Sequence, residues 1–82
     1  MQKYYYVYIL RSESDPNRFY VGRTEDLKER LTRHNRGDVQ STSSGKPWKI
    51  QTAIAFDALD KAVNFEKYLK SASGRAFAKK RL

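Results

Sequence analysis

The stretch that decides the fold is KYYYVYILRSESDPNRFYVGR, residues 3–23 of the 82-residue chain. Aromatic and β-branched residues fill positions 3–11 and predict a first strand. The segment SESDPN at 12–17 predicts a turn, because Pro16 cannot continue regular structure. Residues 18–23 predict a second strand, so the two strands should pair as an antiparallel hairpin.

Strand alternation divides the hairpin side chains between two faces of the sheet. On the first strand, Tyr8 shares a face with Leu10, while Val7 faces the opposite way. On the second strand, Tyr20 shares a face with Gly22. Because the two strands are neighbours, this alternation allows Tyr8 and Tyr20 to share one face of the sheet.

Three helices and a third strand are predicted beyond the hairpin. Hydrophobic spacing and turn signals place a helix at 25–35, a polar mobile loop at 37–47 and a strand at 48–56. They then place a helix ending near 70, a break at 71–74 and a short helix at 75–82. Thr24 or Asp26 should cap the first helix, and its acidic first turn suits the helix dipole. Asp57 or Asp60 should cap the second. The fold class is α/β, with helices flanking a small three-stranded antiparallel or mixed sheet in the order ββαβαα, as a single domain over residues 1–82.

Two of the predicted helices carry polar residues on or beside their packed stripes. Arg30 and His34 lie one turn apart on the apolar stripe of the first helix, and Glu66 lies at the edge of the stripe of the second. Each residue also has an ordinary structural interpretation. Arg30 could extend to solvent, His34 could face the negative end of the helix dipole, and Glu66 could pair with Lys70.

The composition is basic and contains no cysteine. Seventeen lysines and arginines against nine aspartates and glutamates give a net charge of +8, which favours a polyanionic partner. Residues 65–82 carry six cations and one anion, Glu66. No apolar run approaches the roughly 20 residues of a membrane span, and no signal-peptide pattern is present. We therefore expect a soluble cytoplasmic protein without a membrane partner.

The two tyrosine triplets, YVY at 6–8 and YVG at 20–22, together with Arg30 and Glu66, resemble the GIY-YIG nuclease superfamily. The chain is similar to its small stand-alone bacterial members, to the N-terminal nuclease domain of excinuclease C and to the catalytic subunit of the branched-DNA endonuclease. The spacing from Arg30 to His34 and the Pro-Trp pair at 47–48 favour the last of these. Tyrosine replaces the first glycine of the motif, and the asparagine that excinuclease C carries near its C-terminus is absent.

The resemblance implies a metal-dependent endonuclease that hydrolyses DNA phosphodiesters and selects structure rather than sequence. The implied site residues are catalytic Tyr8, Tyr20, Arg30, His34 and Glu66, phosphate-binding Arg23, Lys70, Ser73 and Arg75, and Glu66 again as the ligand of a Mg²⁺ or Mn²⁺ ion. The two tyrosines are expected to form a hydrogen-bonded pair that activates water. DNA or RNA is the expected partner, held through its phosphates, with a protein partner supplying specificity.

Two other functions are compatible with the same residues. The chain could be a nucleic-acid-binding module that kept the fold and lost useful catalysis, because one site residue of the family is missing. It could also be an interaction subunit whose polar residues only pack. Charged residues on packed faces argue against the second alternative, because their burial requires a paired or functional reason.

Overall fold

The sheet has three antiparallel strands in the order β2-β1-β3. In this computed structural model, which describes residues 2–82, the strands are β1 (Tyr5–Ser12), β2 (Phe19–Thr24) and β3 (Trp48–Phe56). The helices are α1 (Leu27–Arg36), α2 (Leu59–Leu69) and α3 (Ala72–Arg81). The predicted class and the order ββαβαα are confirmed, and the sheet is wholly antiparallel.

Each face of the sheet has its own apolar core. On one face, buried Tyr8, Leu10 and Trp48 pack with Leu27 and Leu31 of α1, among others. On the opposite face, Val7, Ile9, Ala62 and Leu69 form a second core that also includes Phe65 of α2 and Leu82. We call these the α1 face and the α2 face. The predicted alternation in the hairpin is confirmed, since Tyr8 and Tyr20 lie on the α1 face and Val21 on the α2 face.

The predicted helix caps are confirmed in α1 and wrong in α2. Asp26 accepts a hydrogen bond from the backbone N–H of Glu29 at 3.0 Å and caps α1. The N-cap of α2 is Ala58, whose methyl group cannot accept a hydrogen bond, and the Asp57 carboxylate pairs with Lys61 at 3.0 Å. No helix within residues 2–82 combines the length and apolar character needed to cross a membrane.

The third helix begins earlier than predicted. We expected the chain to be broken at 71–74, but the Ser71 side chain accepts a hydrogen bond from the Gly74 N–H and caps α3. A Cβ at position 74 would lie 1.7 Å from the Tyr68 carbonyl oxygen. Gly74 is therefore needed for the close approach of α3 to the end of α2, where the sequence pattern suggested a break.

The segment after α1, predicted as a polar mobile loop at 37–47, is anchored to the interior at Thr42. A short 3₁₀ turn, Gln40–Thr42, places Thr42 in the interior at 1% exposure. The indole N–H of buried Trp48 donates to the Thr42 carbonyl at 2.9 Å. Trp48 is in turn held by Asn35, which bonds both its backbone N–H and its carbonyl, at 2.6 Å and 3.0 Å. The polar composition of this loop concealed these contacts, because they form only in the folded chain.

Candidate active site

The tyrosine pair and His34 form a compact cluster on the α1 face. Tyr8 is 1% exposed and His34 is fully buried, and the Tyr8 hydroxyl lies 2.9 Å from His34 Nε2. Tyr20 is half-buried, with its ring centroid 4.8 Å from that of His34 and 6.3 Å from that of Tyr8. Tyr20 is therefore the tyrosine of the pair that solvent reaches more readily.

The expected hydrogen bond between the two tyrosines is not formed among the described residues. In the strand register, Tyr8 pairs with Gly22 and Tyr20 pairs with Leu10, so the two tyrosines are diagonal neighbours rather than direct partners. The Tyr8 hydroxyl instead bonds His34, which α1 brings over the sheet from 26 positions along the chain. Strand alternation could place the tyrosines on one face, but it could not reveal this longer-range partner.

Gly22 makes room for the phenol of Tyr8. A Cβ at position 22 would lie 2.5 Å from the Tyr8 hydroxyl oxygen and 2.8 Å from Cε2 of Tyr20. Both contacts are far inside van der Waals distance. Position 22 therefore requires glycine, because the side chain of Tyr8 passes over it to reach His34.

We expect the substitution Gly22→Ala to displace Tyr8 from His34. Overpacking a filled site of this kind typically costs about 1–3 kcal/mol of folding free energy. Urea unfolding will measure the loss of stability, and the tyrosine–histidine contact can be followed by NMR. Ala53→Gly, at an exposed position that pairs with Tyr8 from β3, is the control for a change of one methyl group. An alanine variant with unchanged stability and an intact Tyr8–His34 contact would contradict this explanation.

Burial controls the ionisation of both residues. Desolvation, reinforced by the charge of Tyr20, raises the pKa of Tyr8 to about 12, although the nearby Arg30 guanidinium opposes the shift. Desolvation, followed by the charges of Arg30 and Arg33, lowers the pKa of His34. At neutral pH, Tyr8 is therefore a protonated phenol and His34 a neutral imidazole. Tyr8 is therefore not present as a phenolate that could act directly as a base at neutral pH.

Arg30 is half-buried beside this cluster with an unused hydrogen-bond donor. Its Nε atom is buried and has no partner among the described residues. Arg30 also lines a surface cleft together with Arg23 and Thr24. A buried guanidinium donor without a partner is costly. An anion bound in the cleft would lie beside the Arg30 side chain and its positive charge.

The cleft is mixed in charge, although the chain as a whole is basic. Besides the two arginines, it is lined by Glu25, Asp26 and Glu29. Glu25 pairs with Lys3 at 2.9 Å, and Asp26 is engaged in capping α1. These carboxylates at the start of α1 repel a phosphate. The favourable position for a phosphate is therefore the side of the cleft that Arg23 and Arg30 line.

Glu66 belongs to the opposite face of the sheet from the tyrosines. Its side chain is 18% exposed, with one carboxylate oxygen 3.2 Å from Arg23 Nη1 and the other 2.9 Å from Lys70 Nζ. Arg23 pairs with Val7 across the hairpin and therefore points to the α2 face. The expected convergence of all five catalytic residues on one surface is thus only partly met.

The α1 face and the α2 face meet at β2, which is an edge strand of the sheet. Arg23, on the α2 side, and Arg30, on the α1 side, line the same cleft. The charge of Glu66 is also close enough to contribute to the raised pKa of Tyr8. The pairing of Glu66 with Lys70, an ordinary helix contact, is present as well, so Glu66 combines a structural and a candidate functional role.

The remaining phosphate-binding candidates lie apart from these contacts. Ser73 and Arg75 are exposed on α3, and no hydrogen bond or ion pair joins either of them to another described residue at the site. Lys70 does reach the site, through Glu66. Sequence reasoning missed Thr42, whose hydroxyl lies 2.6 Å from His34 Nδ1. No local signal marks it, because it lies in a polar loop.

Glu66 could hold a magnesium ion that takes its other ligands from water and substrate. The surrounding residues could not hold an ion ligated by protein alone. Within residues 2–82, no three histidine, aspartate or glutamate side chains cluster as metal ligands. Mg²⁺ commonly keeps several waters and takes one or two carboxylates together with substrate phosphate. Glu66 can supply one carboxylate, after its contacts with Arg23 and Lys70 rearrange.

Comparison with known proteins identifies the family of the chain. Residues 4–81 match the family described as the GIY-YIG catalytic domain, and the chain belongs to this family. It is similar to the structure-specific endonuclease subunit SLX1 of Meyerozyma guilliermondii, with 39% identity over 75 residues, which cover 83% of this chain and 25% of that protein. The SLX1 subunit of Candida dubliniensis is 35% identical over 77 residues, which cover 84% of this chain and 27% of that protein.

A third relative is the SLX1 subunit of Chaetomium globosum, 40% identical over 68 residues, which cover 76% of this chain and 21% of that protein. This chain therefore spans about a quarter of the length of these curated relatives. The predicted superfamily and the likeness to the branched-DNA endonuclease are confirmed. These relatives are fungal, whereas we predicted a bacterial stand-alone member.

Proposed function

We propose that this protein is a metal-dependent endonuclease that hydrolyses phosphodiester bonds of DNA. The observation that carries the proposal is the buried Tyr8–His34 hydrogen bond next to Arg30, whose Nε donor has no partner within residues 2–82. A proton-accepting group thus lies close to a donor suited to phosphate. This combination provides both functions that hydrolysis of a phosphodiester requires from side chains.

In the proposed mechanism, Arg30 binds a non-bridging phosphate oxygen as negative charge develops on it. Arg23 is the second phosphate ligand, since it lines the same cleft. Lys70 adds positive charge beside Glu66, while Ser73 and Arg75 on α3 can contact phosphates only farther along the strand. Because these are contacts to the backbone, they position nucleic acid without reading its sequence.

The proton of the attacking water follows a route through the buried pair. Tyr20, the more accessible tyrosine, orients the water with its hydroxyl. The water proton passes to the oxygen of Tyr8 while the phenolic proton of Tyr8 passes to Nε2 of His34. The lowered pKa keeps His34 unprotonated at neutral pH and therefore able to accept. This route does not require Tyr8 to ionise in advance.

Glu66 is the residue that would hold Mg²⁺ or Mn²⁺. When bound, such an ion supplies Lewis-acid stabilisation of the phosphate and of the leaving oxygen. The release of Arg23 from Glu66 would then free that guanidinium for phosphate.

The substrate and the partners are inferred from the relatives. Their names describe structure-specific endonuclease subunits, which supports selection of DNA by shape and a protein partner that contributes specificity. The net charge of +8 supports contact with nucleic acid, including RNA, through its phosphates. We also propose a cytoplasmic location.

The alternative is a nucleic-acid-binding module with weak or no catalysis. The observation that favours it is the occupation of both Glu66 oxygens by Arg23 and Lys70. If this arrangement persists on DNA, the carboxylate is not free for an ion.

A cleavage assay separates these functions. Supercoiled plasmid, a linear duplex and a branched duplex are incubated with the protein in Mg²⁺, Mn²⁺ or EDTA, and binding is measured in parallel at several salt concentrations. The nuclease proposal predicts metal-dependent nicking with a preference for the branched substrate. Salt-sensitive binding without any cleavage establishes the binding module, and cleavage that persists in EDTA excludes the metal-dependent mechanism.

A further inference from the structure

His34 is held between two hydroxyl groups in the interior of the protein. Its Nε2 lies 2.9 Å from the Tyr8 hydroxyl, and its Nδ1 lies 2.6 Å from Oγ1 of Thr42. His34 is 0% exposed, and Tyr8 and Thr42 are each 1% exposed. Both ring nitrogens of the imidazole therefore have a protein partner.

The direction of these hydrogen bonds follows from the contacts of Thr42. A threonine hydroxyl has one proton, and the Val39 carbonyl, which can only accept, lies 3.3 Å from Thr42 Oγ1. With the hydroxyl proton directed to this carbonyl, Oγ1 accepts from His34, and the imidazole proton lies on Nδ1. Because a neutral imidazole carries a single proton, Nε2 is left with a lone pair that accepts from Tyr8.

We infer that Thr42 is a positioning residue that keeps the proton of His34 on Nδ1 and so leaves Nε2 as the acceptor for the Tyr8 hydroxyl. The opposite tautomer would donate from Nε2 to Tyr8 and could not take its proton. The assignment of the proton stands on the contacts of Thr42 with Val39 and with His34, and it does not depend on the proposed function. The effect on catalysis rests on the proposed nuclease function.

The position of Thr42 is also fixed by its backbone, which makes the inference testable. Its backbone carbonyl accepts from the indole of Trp48, and Trp48 is held by two hydrogen bonds to Asn35. A change of the hydroxyl alone therefore leaves the 3₁₀ turn anchored. Valine preserves the shape of threonine without the hydroxyl, and serine preserves the hydroxyl without the methyl group.

The surroundings of His34 keep the imidazole neutral. Tyr8 faces it from β1, Tyr20 from β2, and the guanidinium groups of Arg30 and Arg33 act on it from α1. Burial and the two positive charges oppose protonation. At neutral pH, its state is therefore a choice between two neutral tautomers, and this choice can be measured.

The measurement uses ¹⁵N NMR of the parent, Thr42→Val and Thr42→Ser. His34 is the only histidine in the sequence, so histidine-selective labelling reports on one imidazole. We expect the parent and the serine variant to show a protonated Nδ1 and an unprotonated Nε2, and the valine variant to lose this preference. A proton on Nε2 in the parent, or an unchanged tautomer in the valine variant, overturns the inference.

The catalytic part is tested by kinetics on the same three proteins. We expect Thr42→Val to lower kcat about tenfold or more with little change in KM, and Thr42→Ser to restore it, since a misplaced proton impairs general-base catalysis. A valine variant that cuts as fast as the parent overturns the positioning role. If the parent does not cut DNA at all, the proposed function fails, and the NMR comparison still decides where the proton lies.

Discussion

Replacing Glu66 with glutamine is expected to lower the rate constant of DNA cleavage by about 10³-fold, because the change removes a carboxylate ligand and the several kcal/mol of charge stabilisation that a bound ion contributes. The fold should remain intact, since the partners of Glu66 are two partly exposed cations and ion pairs of this kind contribute little to stability. Single-turnover cleavage in Mg²⁺, with circular dichroism of both proteins, measures the two effects separately.

The matched control is Asp57→Asn. Asp57 forms an i,i+4 ion pair with Lys61, as Glu66 does with Lys70, but it precedes α2 and is not one of the residues that line the cleft. We expect this variant to cut at the parental rate. Equal losses in the two variants would mean that Glu66 acts only through its ion pairs, and parental activity of Glu66→Gln would exclude it as the metal ligand.

Replacing Arg30 with alanine is expected to lower kcat by about 10²- to 10³-fold, the usual effect of removing one donor that stabilises charge in the transition state. Arg30→Lys should recover only part of this loss, because an ammonium group cannot reproduce the planar set of guanidinium donors. DNA affinity should fall much less than kcat, which separates transition-state stabilisation from simple binding.

Arg36→Ala is the control for the removal of one positive charge from α1. Arg36 lies in the last turn and pairs with Asp38 at 2.9 Å, outside the cleft. If both arginine variants lose affinity equally and keep the parental kcat, Arg30 is a general electrostatic contact rather than a catalytic residue.

The elements of the fold could be predicted from sequence because each has a local signal. The alternation in the hairpin correctly placed Tyr8 and Val7 on opposite faces of the sheet. The apolar stripe of α1 correctly predicted that His34 faces the sheet. The errors occurred where local signals compete. Asp57 is a good cap by residue type, but Lys61 lies one turn away and takes its carboxylate. At Ser71, a capping hydroxyl was read as the start of a break.

The candidate site was predictable residue by residue, but its internal contacts were not. The motif indicated Tyr8 and Tyr20, yet the partner of Tyr8 is His34. Glu66 was identified as the single acid of a basic segment. Its position across the sheet from the tyrosines, and its link to the cleft through Arg23, depend on the edge position of β2.

The sequence by itself determined the order of elements, the two faces of the sheet and the family, because periodicity and short motifs are local properties of the chain. The tertiary structure alone decided which groups share a proton. Thr42, His34 and Tyr8 are brought together from a loop, a helix and a strand by the packing of Trp48 and α1. Burial at that junction then raises the pKa of Tyr8 and lowers the pKa of His34, because desolvation exists only in the folded chain.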